Sequence, residues 1–266
     1  MFQKAIFLTD LDETIITKEH SDLTAIKSLL SRISTKALVI PVTMKTLDEV
    51  LILSRRIEFT FPFIISEGGC VIAGMNIWFL PIQEKFYKVS NYYVGIICKG
   101  IEYIDNVVTK LLNKSSCSDK TLRISKEPVY EIQEMLNLSL DDAVAMKNRT
   151  CSEVLLVKDM NCLLKLSREL AGHGLTVLKT RRFLHVLSGS KARGVQALLD
   201  KLRYYSDLIF AAGDSEVDCD FLSESDTPLV IGEDLACMRK YPYIVLPYKP
   251  ITRNTNLDKV LSSIGL

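Results

Sequence analysis

The feature that most constrains this chain is an apolar run near its amino end that stops in two carboxylates. Ala5-Ile6-Phe7-Leu8-Thr9 is followed at once by Asp10-Leu11-Asp12-Glu13-Thr14. A short unbroken apolar run bounded by charge is the pattern of a strand buried on both faces, as in a parallel sheet covered by helices. Ligands of such sheets sit outside the carboxyl ends of the strands, where Asp10 and Asp12 would project. Two carboxylates one residue apart repel each other unless a cation or a proton lies between them. The pair therefore suits divalent-metal chemistry, or a division of labour between nucleophile and acid. An acidic turn after a strand is the plain alternative.

The rest of the chain alternates in the same α/β manner. Ser21-Asp22 reads as a helix start, with Leu23, Ile26, Leu29, Leu30 and Ile33 at helical spacing. Ala37-Leu38-Val39-Ile40-Pro41-Val42 is a second apolar strand ending in Thr43, and Thr46-Leu47-Asp48-Glu49 has capping-box spacing. Thr43 thus falls between a strand end and a helix start, where backbone N–H groups and the helix dipole favour phosphate oxygens. Residues 63–66 read as a third strand and Glu67-Gly68-Gly69 as a turn. From about Glu84 the texture changes. Strands at 92–98, 154–157, 175–178 and 183–187 and helices at 101–112, 140–146 and 160–170 make a separate α/β unit. Ser190-Lys191 then opens another amphipathic helix, and Leu208-Ile209-Phe210-Ala211-Ala212 is a buried strand running into Gly213-Asp214-Ser215 and Asp218. Residues 229–231 and 243–246 are the last expected strands. The predicted fold is α/β, a Rossmann-like parallel-sheet core from both ends of the chain (1–83 and 188–266) with an inserted α/β cap domain at 84–187.

The composition excludes some classes of function. A net charge of +1 gives no general attraction to nucleic acid or anionic membrane. The stretch 63–82 carries one charge, Glu67, but Gly68, Gly69, Gly74 and Asn76 interrupt it, which fits strands and turns rather than a membrane span. No room for a signal peptide precedes the first strand. The seven cysteines form no C-x-x-C pair and several lie in apolar runs, so they are expected to be buried reduced thiols of a soluble cytoplasmic protein.

The two acidic strand ends, at Asp10/Asp12 and Asp214/Asp218, can converge on one hard cation with oxygen ligands such as Mg2+. Lys191 would add a fixed positive charge and Thr43 a hydroxyl, which completes the parts that phosphoryl transfer needs. These four motifs, in this order, resemble those of the haloacid dehalogenase superfamily of phosphatases. The chain looks most like the mannosyl-3-phosphoglycerate phosphatase family, which has stretches similar to Ile40-Pro41-Val42-Thr43 with Lys45-Thr46, to the turn at Glu67, to Arg149-Thr150-Cys151-Ser152-Glu153 and to Arg181-Arg182-Phe183-Leu184-His185. It departs from the family pattern at Glu13 and Gly68, and at Val217, where Asn is common.

The resemblance implies that Asp10 attacks phosphorus to form an aspartyl-phosphate, with Asp12 as general acid and then base, and Thr43 and Lys191 on the phosphoryl oxygens. It implies Mg2+ held by Asp10, Asp12 (through its carbonyl), Asp214 and Asp218, the last either directly or from just outside. Arg149, Ser152, Arg182 and His185 become the expected substrate-binding residues, with a structural role for His185 equally open. The expected substrate is a small phosphorylated sugar, mannosyl- or glucosyl-3-phosphoglycerate, hydrolysed to the glycosylglycerate and phosphate by a monomer or homodimer. The alternatives are a phosphatase for sucrose phosphate or a hexose phosphate, and a sugar-phosphate-binding protein of weak activity.

Overall fold

A computed structural model of the chain describes residues 5–16, 22–81, 86–180, 183–206 and 208–246. Its central sheet joins the two ends of the chain. Strand β1 (Ala5–Thr9) lies between β2 (Ala37–Pro41) and β11 (Leu208–Gly213), and β12 (Thr227–Ile231) and β13 (Ile244–Leu246) extend the sheet in the order β13-β12-β11-β1-β2. Every pairing in it is parallel, with Thr9 opposite both Pro41 and Ala212. That register brings Asp10, Thr43 and Asp214 out at one edge.

The sheet is buried on both faces, as the apolar runs predict. Phe7, Phe210, Val39 and Leu229 pack with Ile26, Leu30 and Ile33 of α1 (Leu23–Ser34) and Val50 of α2 (Leu47–Arg56). Ile6, Leu8, Ile209 and Ala211 pack instead with Val195, Leu198 and Leu202 of α7 (Lys191–Leu202) and Phe221 of α8 (Cys219–Leu222). The period of two along each strand sends alternate residues to opposite helical layers. Asp22 caps α1, and the predicted capping box at Thr46 and Glu49 starts α2.

Two antiparallel sheets complete the fold. In one, β3 (Phe63–Ser66), β4 (Val71–Gly74), β5 (Phe86–Val89) and β6 (Tyr92–Ile96) take the order β3-β4-β6-β5, with a parallel bridge from Ile65 to Val42 at the edge of the central sheet. This sheet includes strands from both sides of residue 84, because β6 pairs with β4. In the other, β7 (Thr121–Arg123), β8 (Ser152–Val157), β9 (Thr176–Thr180) and β10 (Phe183–Leu187) take the order β7-β8-β10-β9. Its outer face, with Leu155, Leu184 and Val186, packs on α3 (Ile101–Asn113) and α6 (Met160–Gly172). Val154 packs on the opposite face with α4 (Val129–Leu136) and α5 (Leu140–Lys147), Phe183 lying against the same cluster. Glu153 is fully buried within this unit, where Arg123 reaches it at 3.0 Å and the Ser125 hydroxyl donates to it.

The cysteines depart from expectation. Cys117 is bridged to Cys162 and Cys219 to Cys237, while Cys70, Cys98 and Cys151 are unbridged. The partners are 45 and 18 residues apart, so the fold and not a local spacing pairs them. None of the helices described is long and apolar enough to cross a membrane.

One contact fixes the start of α7 against the turn at Glu67. Gly69 has φ +93°, and a Cβ there would lie 1.9 Å from the Ser190 carbonyl oxygen. Gly194 meets the same turn from the helix side, its added Cβ falling 2.7 Å from Gly69 Cα. Gly69→Ala is expected to destabilise the protein by at least about 2 kcal/mol, from backbone strain together with the clash. A urea unfolding curve checks this, and an unchanged midpoint would mean that the contact relaxes freely.

Candidate active site

Asp10 follows β1 directly and is buried, its backbone N–H tied to the Ala212 carbonyl at 2.9 Å. Lys191 is the first residue of α7, behind the N-cap Ser190, and reaches back under the sheet edge. Its Nζ lies 2.7 Å from Asp10 Oδ1 and 2.6 Å from Asp218 Oδ1. Burial disfavours the ammonium, but Asp10 and Asp218 outweigh it and hold Lys191 above the ordinary lysine value. Asp10 moves the other way from an ordinary carboxyl. Burial, reinforced by Asp218 and Asp12, pushes it up to about 8 despite the opposing Lys191.

Asp214 continues β11 and accepts from the Thr14 hydroxyl at 3.0 Å. Burial, with Asp218 adding, pushes it up to about 6. Asp218 is engaged at both oxygens. Oδ1 meets Lys191, and Oδ2 accepts from the Asp214 and Ser215 N–H groups at 3.1 Å each and from the Ser215 hydroxyl at 2.8 Å. Gly213 permits this approach, since a Cβ there would fall 2.6 Å from Asp218 Cβ. Ligand oxygens of Asp10, Asp214 and Asp218 lie within 4.8 Å of one another. Hard oxygen donors with surplus negative charge, two of them proton-hungry through burial, fit a hard divalent cation. The saturation of Asp218 favours a role in fixing Lys191 and the 214–215 loop over direct ligation.

Asp12 lies apart from that cluster and is largely exposed, with Lys45 Nζ 2.9 Å from its Oδ1. Glu13 adopts φ +58°, a left-handed conformation that glycine would adopt without strain. Thr43 is fully buried. Its N–H bonds the Ile65 carbonyl at 2.9 Å and its hydroxyl accepts from the Lys45 N–H at 3.2 Å.

A cavity of about 640 Å3 opens over these groups. Asp10, Asp12, Lys191, Asp214 and Asp218 line its floor, and Met146, Val154, Phe183 and His185 line it from the antiparallel unit. His185 stands opposite Val154 in the β8–β10 ladder, on the strand face away from α3 and α6. Burial, with Arg149 and Lys191 adding, pushes its imidazole down to about 4, so it is neutral at pH 7. An adjoining cavity of about 390 Å3 shares Asp12, Ile16, Met146 and Phe183 and is lined also by Lys45 and Arg56.

Arg149 and Ser152 are not brought to either cavity lining. Arg149 is buried, donating to Ser152 Oγ at 2.9 Å and lying 3.7 Å from Glu49, and Ser152 in turn donates to Glu67 at 2.5 Å. Both sit where the antiparallel unit meets the core. Arg182 lies outside the described residues. Lys45 is the group that sequence reasoning passed over. The signal for it is its place between a strand end and a helix start, the edge where ligands of a parallel sheet bind.

No protein-family model matches the chain. A glucosyl-3-phosphoglycerate/mannosyl-3-phosphoglycerate phosphatase of Persephonella marina is 26% identical over 253 residues, covering 91% of this chain and 89% of that protein. Solved structures align over nearly the whole length. A phosphatase of the haloalkanoate (HAD) superfamily from Bacteroides thetaiotaomicron matches with TM-score 0.65 at 15% identity, over 99% of this chain and 96% of its own. At these identities the likeness to solved structures is one of fold. A subclass IIB sugar phosphatase of that superfamily matches with TM-score 0.64 at 12% identity, over 99% of both chains. A Thermotoga maritima protein matches with TM-score 0.65 at 16% identity, over 99% of this chain and 97% of that one. Each of these likenesses spans the central sheet and the antiparallel units together.

The raised carboxyls give a pH prediction. Cation binding requires Asp10 and Asp214 without their protons, so affinity for Mg2+ should rise with pH through the interval from about 6 to about 8. Calorimetric titration at pH 5.5, 7 and 8.5 in buffers of different ionisation heat checks it, because proton release should accompany binding at the lower pH values. Affinity independent of pH would show that neither carboxyl ligates.

Proposed function

We propose that this chain is a Mg2+-dependent phosphoric monoester hydrolase acting on a glycosyl-3-phosphoglycerate. The observation that carries the reading is the Asp10–Lys191–Asp218 bridge at the sheet edge, beneath a cavity whose other wall is the cap. The cap in this reading is residues 101–187, placed between the Thr43 and Lys191 motifs.

Asp10 attacks phosphorus in line, forming an aspartyl-phosphate and releasing the glycerate C3 oxygen, and water then hydrolyses that acyl phosphate. Asp12, on the cavity floor, gives the proton of its acid form to the leaving oxygen and, as the carboxylate that results, takes a proton from the water, a role typically contributing ~100- to 10,000-fold. Lys191, held charged by its two carboxylates, and the Thr43 hydroxyl neutralise and orient the transferring oxygens. Mg2+ held by Asp10, Asp214 and the Asp12 carbonyl would supply further charge neutralisation at those oxygens. The neutral His185, with Phe183, Val154 and Met146, forms the wall against which the leaving group rests. Lys45 and Arg56 stand in the adjoining cavity, where the carboxylate of a phosphoglycerate would be met.

A specific observation favours a second reading, hydrolysis of a neutral sugar phosphate. Among the described residues no guanidinium lines the larger cavity, because Arg149 is held by Ser152 and Glu49. Phosphate release with Mg2+ present separates the readings, using glucosyl- and mannosyl-3-phosphoglycerate, sucrose phosphate and hexose phosphates, with Asp10→Asn as the blank. Preference for the glycosyl-phosphoglycerates is the expected result, and preference for a neutral sugar would transfer the assignment to the second reading. Tight binding without release from any of them would make the protein a sensor.

Lys45→Met sharpens the same test. It should raise KM for a carboxylate-bearing substrate by about tenfold or more, the equivalent of one lost charge-assisted hydrogen bond, while leaving that for a hexose phosphate within about threefold. Equal KM changes for both would remove Lys45 from carboxylate recognition.

A further inference from the structure

The turn at Glu67-Gly68-Gly69 touches the Thr43–Lys45 segment, the start of α7 and residues 150–152 of the antiparallel unit. Glu67 is 1% exposed, yet its carboxylate points at the cap rather than into its own sheet. Oε1 accepts from the Thr150 N–H at 2.8 Å, and Oε2 accepts from the Cys151 N–H at 2.9 Å and the Ser152 hydroxyl at 2.5 Å. Arg149 donates to the same hydroxyl at 2.9 Å, so a guanidinium faces the carboxylate across one oxygen. The backbone of the turn holds the core side. Glu67 N–H bonds the Lys45 carbonyl at 2.8 Å, Gly68 N–H bonds the Thr43 carbonyl at 2.9 Å, and Gly69 abuts Ser190 and Lys191. Glu67 itself keeps φ +47°, a left-handed conformation that persists only where the surroundings demand it.

The cap end of this contact leads straight into the cavity wall. Residues 150–152 enter β8, where Val154 stands opposite His185 of β10, and both line the cavity above Asp10. We propose that Glu67 is a positioning residue that sets the β8–β10 wall over the Thr43, Lys45 and Lys191 loops, and so makes turnover depend on the leaving group. Three donors converge on one buried carboxylate, and removing it strands all three at the junction of cap and core. A misplaced wall penalises a substrate that must fill the space between wall and floor. It hardly affects one whose leaving group is too small to reach the wall. The proposal rests on the hydrolase reading above and adds to it the part that fixes the choice of leaving group.

The test is Glu67→Gln in the full chain with Mg2+, assayed on the sugar ester that the wild type hydrolyses fastest and on acetyl phosphate, with amide hydrogen exchange followed at residues 150 and 151. The amide side chain retains one acceptor and opposes one donor. Turnover (kcat/KM) of the sugar ester should fall by roughly 10- to 100-fold, whereas that of acetyl phosphate should change by less than about threefold. Exchange at the two amides should quicken by about tenfold or more. Equal losses on both substrates, or unchanged exchange, would overturn the proposal. Should Glu67→Gln not fold, Ser152→Ala carries the same two readouts in smaller measure, having lost one donor of the three. A wild type inactive on both substrates would sink the hydrolase reading, and selective quickening of exchange without any selective kinetic loss would reduce Glu67 to a structural contact.

Discussion

One ammonium held between two buried carboxylates is the interaction on which the rest of this structure depends. Lys191 contacts Asp10 and Asp218 at 2.7 and 2.6 Å with almost no exposure of any of the three. Ions so placed give up their hydration, and the arrangement is tolerable only if every partner is in position. The parallel register delivers Asp10 and the 213–218 loop to the same edge, and α7 must begin at the one height from which Lys191 reaches both. That start is set by Gly69 and Gly194, two positions without a Cβ at a backbone-to-backbone contact. Asp218 is locked by three further donors, so the charge of Lys191 is fixed in place before any ligand arrives. With Asp214 ionised as well, the three carboxylates outnumber Lys191 by two negative charges, which is what a divalent cation would neutralise.

The wall opposite is positioned by different means. Alternation along β10 sends Leu184 and Val186 to the helices and leaves His185 to the cavity, so a five-residue strand separates packing from lining. The cap is then tied to α2 and its cap region through polar contacts. Thr46 donates to the Ala145 carbonyl at 2.9 Å, Asn148 to Asp48 at 2.6 Å, and Arg56 to Asp142 at 2.9 Å. Such contacts are individually weak where exposed and can break and reform. Glu67 differs from the exposed Asn148 and Arg56 contacts in being buried, and from the buried Thr46 contact in gathering three donors on one carboxylate.

Particular elements show where local patterning was a sound guide and where it was not. The strands of the central sheet and helices α1, α2 and α7 read directly from apolar runs, helical spacing and caps, because burial on both faces leaves a strong periodic signal. Helix α4 went unread. It buries only Ile132, starts at Pro128 without a side-chain cap and ends in left-handed Asn137. β5 has an exposed outer surface and pairs at the edge of its sheet, so nothing in its sequence says which sheet it joins. The disulfides bridge distant residues of unremarkable spacing. Arg149 and Ser152 carry a family-like pattern, but pattern alone does not say whether a cation points at a ligand or at its own chain.

The sequence by itself determined the class of fold and the floor of the site. A strand end with Asp10 and Asp12, a hydroxyl at Thr43, a lysine opening a helix and a second acidic strand end have few arrangements open to them in a parallel sheet, because side chains at strand ends project into one crevice. Only the tertiary structure decided what those groups do to one another. It made Asp218 a holder of Lys191, placed Lys45 against Asp12, turned Arg149 toward Ser152, and joined Glu67 to a cap segment more than eighty residues away. Those outcomes depend on which polar atoms are left without water when two units close on each other. That is a property of the packed interface, and no stretch of the chain encodes it alone.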